Sequence, residues 1–234
     1  MSLKRVLIKI SGEYLREKGE NSPFSLEIAQ EISKNVQSLL RSGVQVAVVI
    51  GGGNIVRGSA ISHSVERCAA DQMGMLATMM NGIFLHSIFQ KSGINSCIYG
   101  STPVPGICDS FSHQKAMAHL EKDFVVICAG GSGNPYFTTD TAAVLRALEL
   151  KCDAVLKATK VDGVYDDDPL KNKNAKRYSE ISYQDVLEKK LKVMDLASIS
   201  LASDNNLPVI VFSLLEADCF KKALDGGSKK TVIS

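Results

Sequence analysis

The sequence predicts an α/β fold with a largely parallel central sheet. Apolar runs of strand length recur along the chain, an amphipathic helical pattern separates the first two, and both of these strands end at glycine-containing turns. A strand, helix, strand order is typical of parallel sheets, since the chain must cross back before the next strand starts. Ligands bind such sheets at the carboxyl ends of the strands, so the site is predicted there.

The first predicted strand covers residues 3–10, with Lys9 near its carboxyl end and Ser11 and Gly12 in the turn that follows. Apolar residues then recur at helical spacing through residues 26–40 and stop before Gly43, which predicts an amphipathic helix. Residues 44–50 form a buried strand that ends in three glycines and Asn54. Two strand ends therefore bring a lysine and a glycine loop to one edge of the sheet.

The pattern over residues 67–89 is helical but apolar on most sides, and it is rich in methionine. Such a helix has to be covered all round. Two interpretations have similar weight: a central helix of the core, or methionine-rich packing against a second subunit.

Residues 94–99 and 124–128 are two further predicted strands. The second runs into a loop with Gly130, Gly131 and Gly133, and a helical pattern follows the segment 138–141. Unpaired N–H groups of a glycine loop and of a helix N-terminus both point at an anion, so a phosphate site is the first hypothesis here. The alternative is a plain turn with a capped helix.

The last third of the chain continues the alternation. Residues 154–158 form a strand, an acidic run covers 166–168, and residues 171–177 form a basic loop that is either a lid or plain surface. Asp195 is predicted to be the N-cap of a helix through Ala202, and strands follow at 209–212 and 231–233.

Composition limits the classes of function. The chain has 234 residues, 45% of them hydrophobic and 22% charged, which predicts a single domain over residues 1–234, or one domain with a modest sub-domain. Its net charge of +2 gives no argument for binding nucleic acid or an anionic membrane. Six scattered cysteines without metal spacing indicate a reducing cytosol, and no apolar run approaches the roughly 20 residues that span a bilayer. We therefore expect a cytoplasmic protein.

The strand ends collect the groups that phosphoryl transfer needs. Lys9 and Lys157 supply positive charge, and the two glycine loops supply fixed N–H donors. Asp140 can hold both lysines in place, and the guanidinium of Arg57 suits an acceptor phosphate. The chain has no G-x-x-x-x-G-K-[ST] motif, and the triple glycine lacks the third glycine of a dinucleotide fingerprint.

Taken together, six segments closely resemble the bacterial uridylate kinases of the amino acid kinase superfamily. They are KISG at 9–12, VIGGGN at 49–54 with Arg57 after it, DQMGMLA at 71–77, GNPYFTTD at 133–140, LKATKVDGVY at 156–165 and LKVMDLA at 191–197. The resemblance covers nearly the whole chain. It implies a three-layer αβα sandwich, phosphorylation of UMP to UDP by Mg·ATP, and a homohexamer in which the apolar helix lies at subunit contacts.

The resemblance also implies roles for individual residues. The implied catalytic residues are Lys9, Lys157, Asp140 and Arg57. The implied ATP-binding residues are Lys9, Ile10, Ser11, Gly12, Gly53, Arg57, Thr159, Tyr165 and Asp168. The implied UMP-binding residues are Gly52, Arg57, Asp71, Gly131, Ser132, Gly133, Asn134, Pro135, Tyr136, Phe137 and Thr138. The alternative for Tyr165 is that it only packs, and the alternative for Asp71 is that it caps a helix.

Two properties of the family are not carried over to this chain. The stretch associated with GTP activation is replaced at residues 17–25 by EKGENSPFS, so GTP activation is not expected. The three aspartates at 166–168 share one loop and have no further ligand cluster, so we expect no metal site of the protein's own and assign Mg²⁺ to the ATP phosphates.

Two alternatives to UMP phosphorylation remain at this stage. Another small-molecule kinase on the same scaffold would act on carbamate or an acidic amino acid, which Arg57 and the Gly-Asn-Pro-x-Phe loop disfavour. A non-catalytic nucleotide sensor or storage assembly would be favoured by loss of Lys9, Lys157 or Asp140, and all three are present. Transfer assays with a panel of acceptors separate these cases.

Overall fold

A nine-stranded sheet forms the centre of the computed structural model, which describes residues 3–16, 22–56 and 64–234. The strands lie in the order β4-β3-β5-β2-β1-β6-β10-β11-β9, and every neighbouring pair is parallel except β10 and β11. The strand bounds are β1 Arg5–Ile10, β2 Gln45–Ile50, β3 Ser96–Gly100, β4 Asp109–Ser110, β5 Val125–Ala129, β6 Ala154–Thr159, β9 Glu180–Ile181, β10 Val209–Ser213 and β11 Lys230–Ile233. A separate antiparallel ribbon pairs β7 Val164–Tyr165 with β8 Arg177–Tyr178.

Within the described residues, seven α-helices connect these strands. Their bounds are α1 Leu26–Arg41, α2 Arg67–Lys91, α3 His113–Leu120, α4 Thr139–Glu149, α5 Tyr183–Glu188, α6 Leu196–Asp204 and α7 Cys219–Asp225. A short 3₁₀ helix, Gly12–Leu15, follows β1. Ser25 caps α1 by accepting a hydrogen bond from the Ile28 N–H, and Asp195 caps α6 in the same way through the Ser198 N–H, as the sequence predicted for that position.

Two helical layers cover the two faces of the sheet. On one face α1, α2 and α7 pack against the strands, and fully buried Phe89, Phe212 and Phe220 are among the largest side chains there. On the other face α3, α4, α5 and α6 contribute Leu120, Val144 and other apolar side chains. Burying each large apolar side chain stabilises the fold by about 1.5–3 kcal/mol. The predicted three-layer αβα sandwich with a largely parallel sheet is therefore confirmed.

Helix α2 has one buried face and one exposed apolar face. Ala77, Leu85 and Phe89 are buried against the sheet, whereas the side chains of Met73, Leu76, Met80 and Ile83 are exposed on this chain. The interpretation as a central core helix is therefore wrong, because the sheet covers only part of its apolar surface. The second interpretation, packing against another subunit, stays a prediction.

Some elements were absent from the sequence interpretation. Helices α3, α5 and α7 have six to eight residues, and strands β4, β7, β8 and β9 have two residues each, too short for a periodic pattern to develop. The predicted last strand is present as β11, but it runs antiparallel to β10. Within the part of the chain that the structure describes, no helix has both the length and the apolarity needed to cross a membrane. All six cysteines are free thiols.

Candidate active site

An ion-paired triad lies at the carboxyl ends of β1 and β6. Lys9 and Lys157 are partners in the parallel register of these strands, so their side chains emerge side by side. Asp140, at the start of α4, lies between them: Lys9 Nζ is 2.7 Å from Asp140 Oδ1, and Lys157 Nζ donates to Oδ2 at 2.6 Å. One carboxylate therefore holds two ammonium groups in a fixed arrangement.

The triad is largely buried, and its charges depend on one another. Burial by itself would raise the pKa of Asp140, but the ammonium groups of Lys9 and Lys157 outweigh this and hold that pKa below its ordinary value. Burial also lowers the pKa of Lys157, and the nearby Lys9 lowers it further, against the attraction of Asp140. With two cations and one anion, the cluster carries net positive charge and attracts an anionic ligand.

The backbone before α4 explains how Asp140 reaches the lysines. Gly130, Gly131 and Gly133 have φ values of +80°, +61° and +84°, in the left-handed region that glycine adopts without strain. Thr138 then caps the helix, since its hydroxyl accepts a hydrogen bond from the Asp140 N–H at 3.0 Å. The predicted strand, glycine loop and capped helix are all present, and they place Asp140 in the first turn of α4.

Two polar residues of α2 hold both glycine loops in position. The side-chain amide of Asn81 donates to the Gly51 carbonyl at 2.6 Å and to Asn54 Oδ1 at 2.7 Å. The hydroxyl of Thr78 accepts a hydrogen bond from the Gly130 N–H at 2.7 Å. Neither α2 residue was a predicted site residue. The sequence signal was a threonine and an asparagine within a mostly apolar helical pattern. Burying a polar side chain has a cost in free energy, which hydrogen bonding has to offset.

The turn after β1 packs closely on the turn after β2. A Cβ atom at Gly12 would collide with the Gly51 carbonyl, and Gly53 lies beside the Glu13 side chain. At Gly52 a Cβ would lie 2.8 Å from the Gly74 carbonyl and 2.9 Å from Ala77 Cβ. The close approaches of backbone at Gly12 and Gly52 require glycine for steric reasons, whatever ligand binds.

A first cleft of about 370 Å³ lies next to the triad, since Thr139, the residue before Asp140, forms part of its wall. It contains six of the predicted UMP-binding residues: Gly52, Asp71, Gly131, Ser132, Phe137 and Thr138. The predicted residues Gly133, Asn134, Pro135 and Tyr136 belong to the same loop but do not line this cleft. Helix α2 supplies the opposite wall through Arg67, Ala70, Gly74, Met75 and Thr78.

A second cleft of about 770 Å³ is lined directly by Lys157 of the triad. It contains three of the predicted ATP-binding residues, Thr159, Tyr165 and Asp168, together with the predicted catalytic residue Lys157. Lys171 of the basic loop lines it too, whereas Arg177 lies in β8. Tyr165 donates a hydrogen bond to Asp162 and faces the cleft, so packing alone does not describe it.

A carboxylate that the sequence interpretation assigned only as a helix cap connects the two clefts. Asp195 accepts hydrogen bonds from the hydroxyls of Thr138 and Thr141, the latter at 2.8 Å, and from the Ser198 N–H at 2.9 Å. It thus ties the start of α4 to the start of α6. Val193, two residues earlier, lines the second cleft. The position of Asp195 in the segment 191–197, which resembles the family, was a sequence signal that we had not used.

Asp71 connects α2 to the loop before α4. Its Oδ2 accepts from Arg67 Nε at 2.8 Å and from the Tyr136 N–H at 2.8 Å. Burial acts to raise the pKa of Asp71, but these donors and the Arg67 charge hold it below its ordinary value. Glu66 is the residue that caps α2, so the alternative interpretation of Asp71 as a helix cap is wrong.

Two sequence predictions fall outside the described residues. Arg57, predicted for the phosphates, lies in the segment 57–63, and most of the stretch compared with the GTP-activation segment lies in 17–21. Among the described residues, no three His, Cys, Asp or Glu side chains converge on a point where they would hold a metal ion.

Comparison with known proteins identifies the family. The model of the amino acid kinase family matches residues 4–213. The uridylate kinase of Anaplasma phagocytophilum is 46% identical over 231 residues, covering 98% of this chain and 94% of that protein. The uridylate kinase of Rickettsia prowazekii is 44% identical, covering 100% and 96%.

Solved structures agree with this assignment. The UMP kinase of Ureaplasma parvum superposes with a TM-score of 0.94 at 33% identity and covers all of both chains. The UMP kinase of Bacillus anthracis gives 0.95 at 36% identity, covering 100% of this chain and 97% of that one. By family model, sequence and structure alike, the chain belongs to the amino acid kinase family and, within it, to the uridylate kinases.

Proposed function

We propose that this protein transfers the γ-phosphoryl group of ATP to UMP, which forms UDP and ADP. The observation that carries the proposal is the net positive Lys9–Asp140–Lys157 triad beside two clefts: Lys157 lines one of them, and Thr139, next to Asp140, lines the other. Relatives named uridylate kinase and UMP kinase support UMP as the acceptor over carbamate or an amino acid.

Phosphoryl transfer requires little covalent chemistry from the protein. An oxygen of the UMP phosphate forms a bond to the γ-phosphorus while the bond from that phosphorus to the β–γ bridging oxygen breaks. The acceptor phosphate has a second pKa near about 6, so it is an anionic nucleophile at neutral pH and needs no general base. What the reaction needs is in-line placement and positive charge over the transferring oxygens.

The triad fits that requirement. We assign Lys9 and Lys157 to the oxygens of the transferring phosphoryl group and Asp140 to the orientation of both ammonium groups. Because the three groups are preorganised by a shared carboxylate, little reorganisation is needed when negative charge develops in the transition state. Arg57 is assigned to the phosphates from the sequence.

We assign the second cleft to ATP. Thr159, Tyr165 and Asp168 line it, and the turn after β1 approaches the triad from the same strand that carries Lys9. The proposed ATP-side set is therefore Lys9, Ile10, Ser11, Gly12, Gly53, Arg57, Thr159, Tyr165 and Asp168. Ile10 has a fully buried side chain, so its contribution comes from the backbone.

We assign the first cleft to UMP. The glycine loop and the residues that lead into α4 line this cleft, and a glycine loop before a helix N-terminus suits the acceptor phosphate. The carboxylate of Asp71 lines the part of the cleft that α2 forms, and as an acceptor it suits the hydroxyl or N–H donors of the nucleoside.

Mg²⁺ is assigned to the ATP phosphates, where it neutralises charge on the β- and γ-oxygens. Both oxygens of Asp140 are bound to ammonium groups, which fits an organiser of lysines rather than a metal ligand. We further propose a homohexamer in which the exposed apolar face of α2 packs against a second subunit, and a single domain over residues 1–234 in a cytoplasmic enzyme.

Phosphoryl transfer from Mg·ATP to UMP, CMP, dTMP, carbamate, glutamate and aspartate tests the proposal, with UDP formation followed directly. Selective turnover of UMP is the expected result. Turnover of a different acceptor would overturn the UMP assignment, and nucleotide binding without turnover of any acceptor would overturn the enzymatic function.

A further inference from the structure

We infer that Arg67 is a positioning residue for the acceptor nucleotide: together with the backbone of Tyr136 it fixes the Asp71 carboxylate in the wall of the first cleft. This inference rests on the proposed function, since it assigns a role within the UMP site. It concerns a residue that the sequence interpretation did not include.

The carboxylate of Asp71 is used asymmetrically. One oxygen, Oδ2, accepts both from Arg67 Nε and from the Tyr136 N–H, each at 2.8 Å. Within the described residues, Oδ1 has no donor, although Asp71 lines the first cleft. Two donors from different elements thus fix the rotation of the carboxylate and leave its second oxygen for a ligand.

Helix stability does not account for Arg67. It is the first residue of α2, where a positive charge is unfavourable because the helix dipole already places positive charge at that end. Glu66 performs the capping, with its carboxylate accepting from the N–H groups of Cys68 and Ala69. A guanidinium here is explained by its partner Asp71 and by its place in the wall of the cleft.

Tyr136 shows that the same contacts shape the acceptor loop. Its φ of +71° is in the left-handed region, which a residue with a bulky side chain avoids, and its side chain is largely exposed, so burial does not hold it there. Two contacts hold Tyr136 in this conformation: its N–H donates to Asp71, and the Arg67 guanidinium lies 5.2 Å from its ring centroid. Phe137 and Thr138, the next residues, line the first cleft.

The expected consequence is a selective loss of UMP affinity. Tyr136 precedes Asp140 by four residues, so their Cα atoms are at most about 14 Å apart. The Tyr136 loop and the triad can therefore contact the nucleoside end and the phosphate end of the same nucleotide. Loss of the Arg67 guanidinium frees the Asp71 carboxylate and the loop that contains Tyr136, but it leaves the triad and the second cleft intact. The KM for UMP should rise, while kcat and the KM for ATP should change little.

The experiment compares four variants in steady-state kinetics. Arg67→Gln keeps a donor but removes the charge, and Arg67→Met keeps the length of the stem and removes both. Arg67→Lys keeps the charge. Lys221→Gln is the matched control, because Lys221 pairs with Asp225 at the same i, i+4 spacing on the exposed surface of α7.

We expect Arg67→Gln and Arg67→Met to raise the KM for UMP roughly tenfold, the scale of one hydrogen bond to a charged group, with kcat within about twofold of wild type. Arg67→Lys should recover the KM to within about threefold. An unchanged KM for UMP in Arg67→Met, or an equal rise in the KM for ATP, would overturn the inference. Failure of the wild-type protein to turn over UMP would instead overturn the proposed function.

A double-mutant cycle with Asp71→Asn separates positioning from direct contact. If Arg67 acts through Asp71, adding Arg67→Gln to Asp71→Asn should raise the KM for UMP by less than about twofold. Independent, multiplicative effects of the two substitutions would show that Arg67 does not act through this carboxylate.

Discussion

The substitution Asp140→Asn tests the proposed mechanism most directly. Asparagine keeps the shape of the side chain but replaces the charge by an amide, with one oxygen and one NH₂ group. Lys9 and Lys157 lie 2.7 Å and 2.6 Å from the two carboxylate oxygens, so one ammonium group would face the amide donor and neither would be neutralised. The two cations would repel one another and leave their positions.

The magnitude follows from the distances and the burial. Coulomb's law at about 2.7 Å with an effective dielectric near 20 gives a gross attraction of roughly 6 kcal/mol for each ion pair, before the cost of removing the charges from water. Breaking a buried pair by removing one partner costs about 3–5 kcal/mol in practice. At about 2–4 °C per kcal/mol for a protein of this size, the Tm should fall by roughly 6–20 °C.

The loss of transition-state stabilisation should be similar in free energy to the loss of folding stability. Loss of one preorganised electrostatic stabiliser lowers kcat by about 10²–10³-fold, and Lys9→Ala should reach at least about 10²-fold for the same reason. The assay is UDP formation at saturating Mg·ATP and UMP at 25 °C, on protein shown by circular dichroism to be folded. Asp225→Asn is the control, since it removes an aspartate paired with an exposed lysine. A folded Asp140→Asn protein with kcat within threefold of wild type would refute the assigned role of the triad.

Three further predictions concern pH and two other side chains. The folded-state pKa of Asp140 is lowered, so its negative charge stabilises the fold at pH values above the ordinary pKa. This stabilisation is lost as the pH falls through the lowered pKa. The difference in unfolding free energy between wild type and Asp140→Asn, measured in urea, should therefore be constant from about pH 7 to 5 and shrink in stronger acid. Arg57→Ala should raise the KM for UMP more than that for ATP, and an equal rise would place Arg57 at the shared reaction centre. Asp195→Asn, which weakens the acceptor of Thr138, should lower kcat about tenfold, whereas Asp204→Asn at the other end of α6 should not; equal activities would exclude a role for Asp195 in ordering the site.

The sheet and the triad were predictable because both follow from local signals. Residues 5–10, 45–50 and 154–159 are apolar runs of strand length, and in a parallel sheet their carboxyl ends must meet. Lys9 and Lys157 each lie in such a run, where a charge has a cost that function explains. Register then places them side by side, a step that needs no knowledge of the helices.

The remaining parts of the site were not predictable because their partners are distant in sequence. Thr78 and Asn81 hold loops that precede and follow α2, and nothing in the local pattern states which backbone groups they reach. Asp195 was identified as a helix cap, correctly, but its second role depends on where α6 lies relative to α4. Arg67 was not singled out from the sequence, because its neighbour Tyr136 is brought beside it only by the fold.

These distant contacts share one arrangement, which explains why the two clefts are held in fixed relation. Residues beside a helix N-terminus line each cleft. These residues lie at the start of α4 in the first cleft and in the segment that leads into α6 in the second. A single carboxylate, Asp195, bonds the starts of both helices, and a second, Asp140, bonds the ends of both strands that carry the lysines. In-line transfer tolerates little displacement between donor and acceptor, so the geometry it requires is set by carboxylates that each bridge two elements. The glycine loops bring the phosphates close to the backbone, and the bridging carboxylates determine where the phosphates meet.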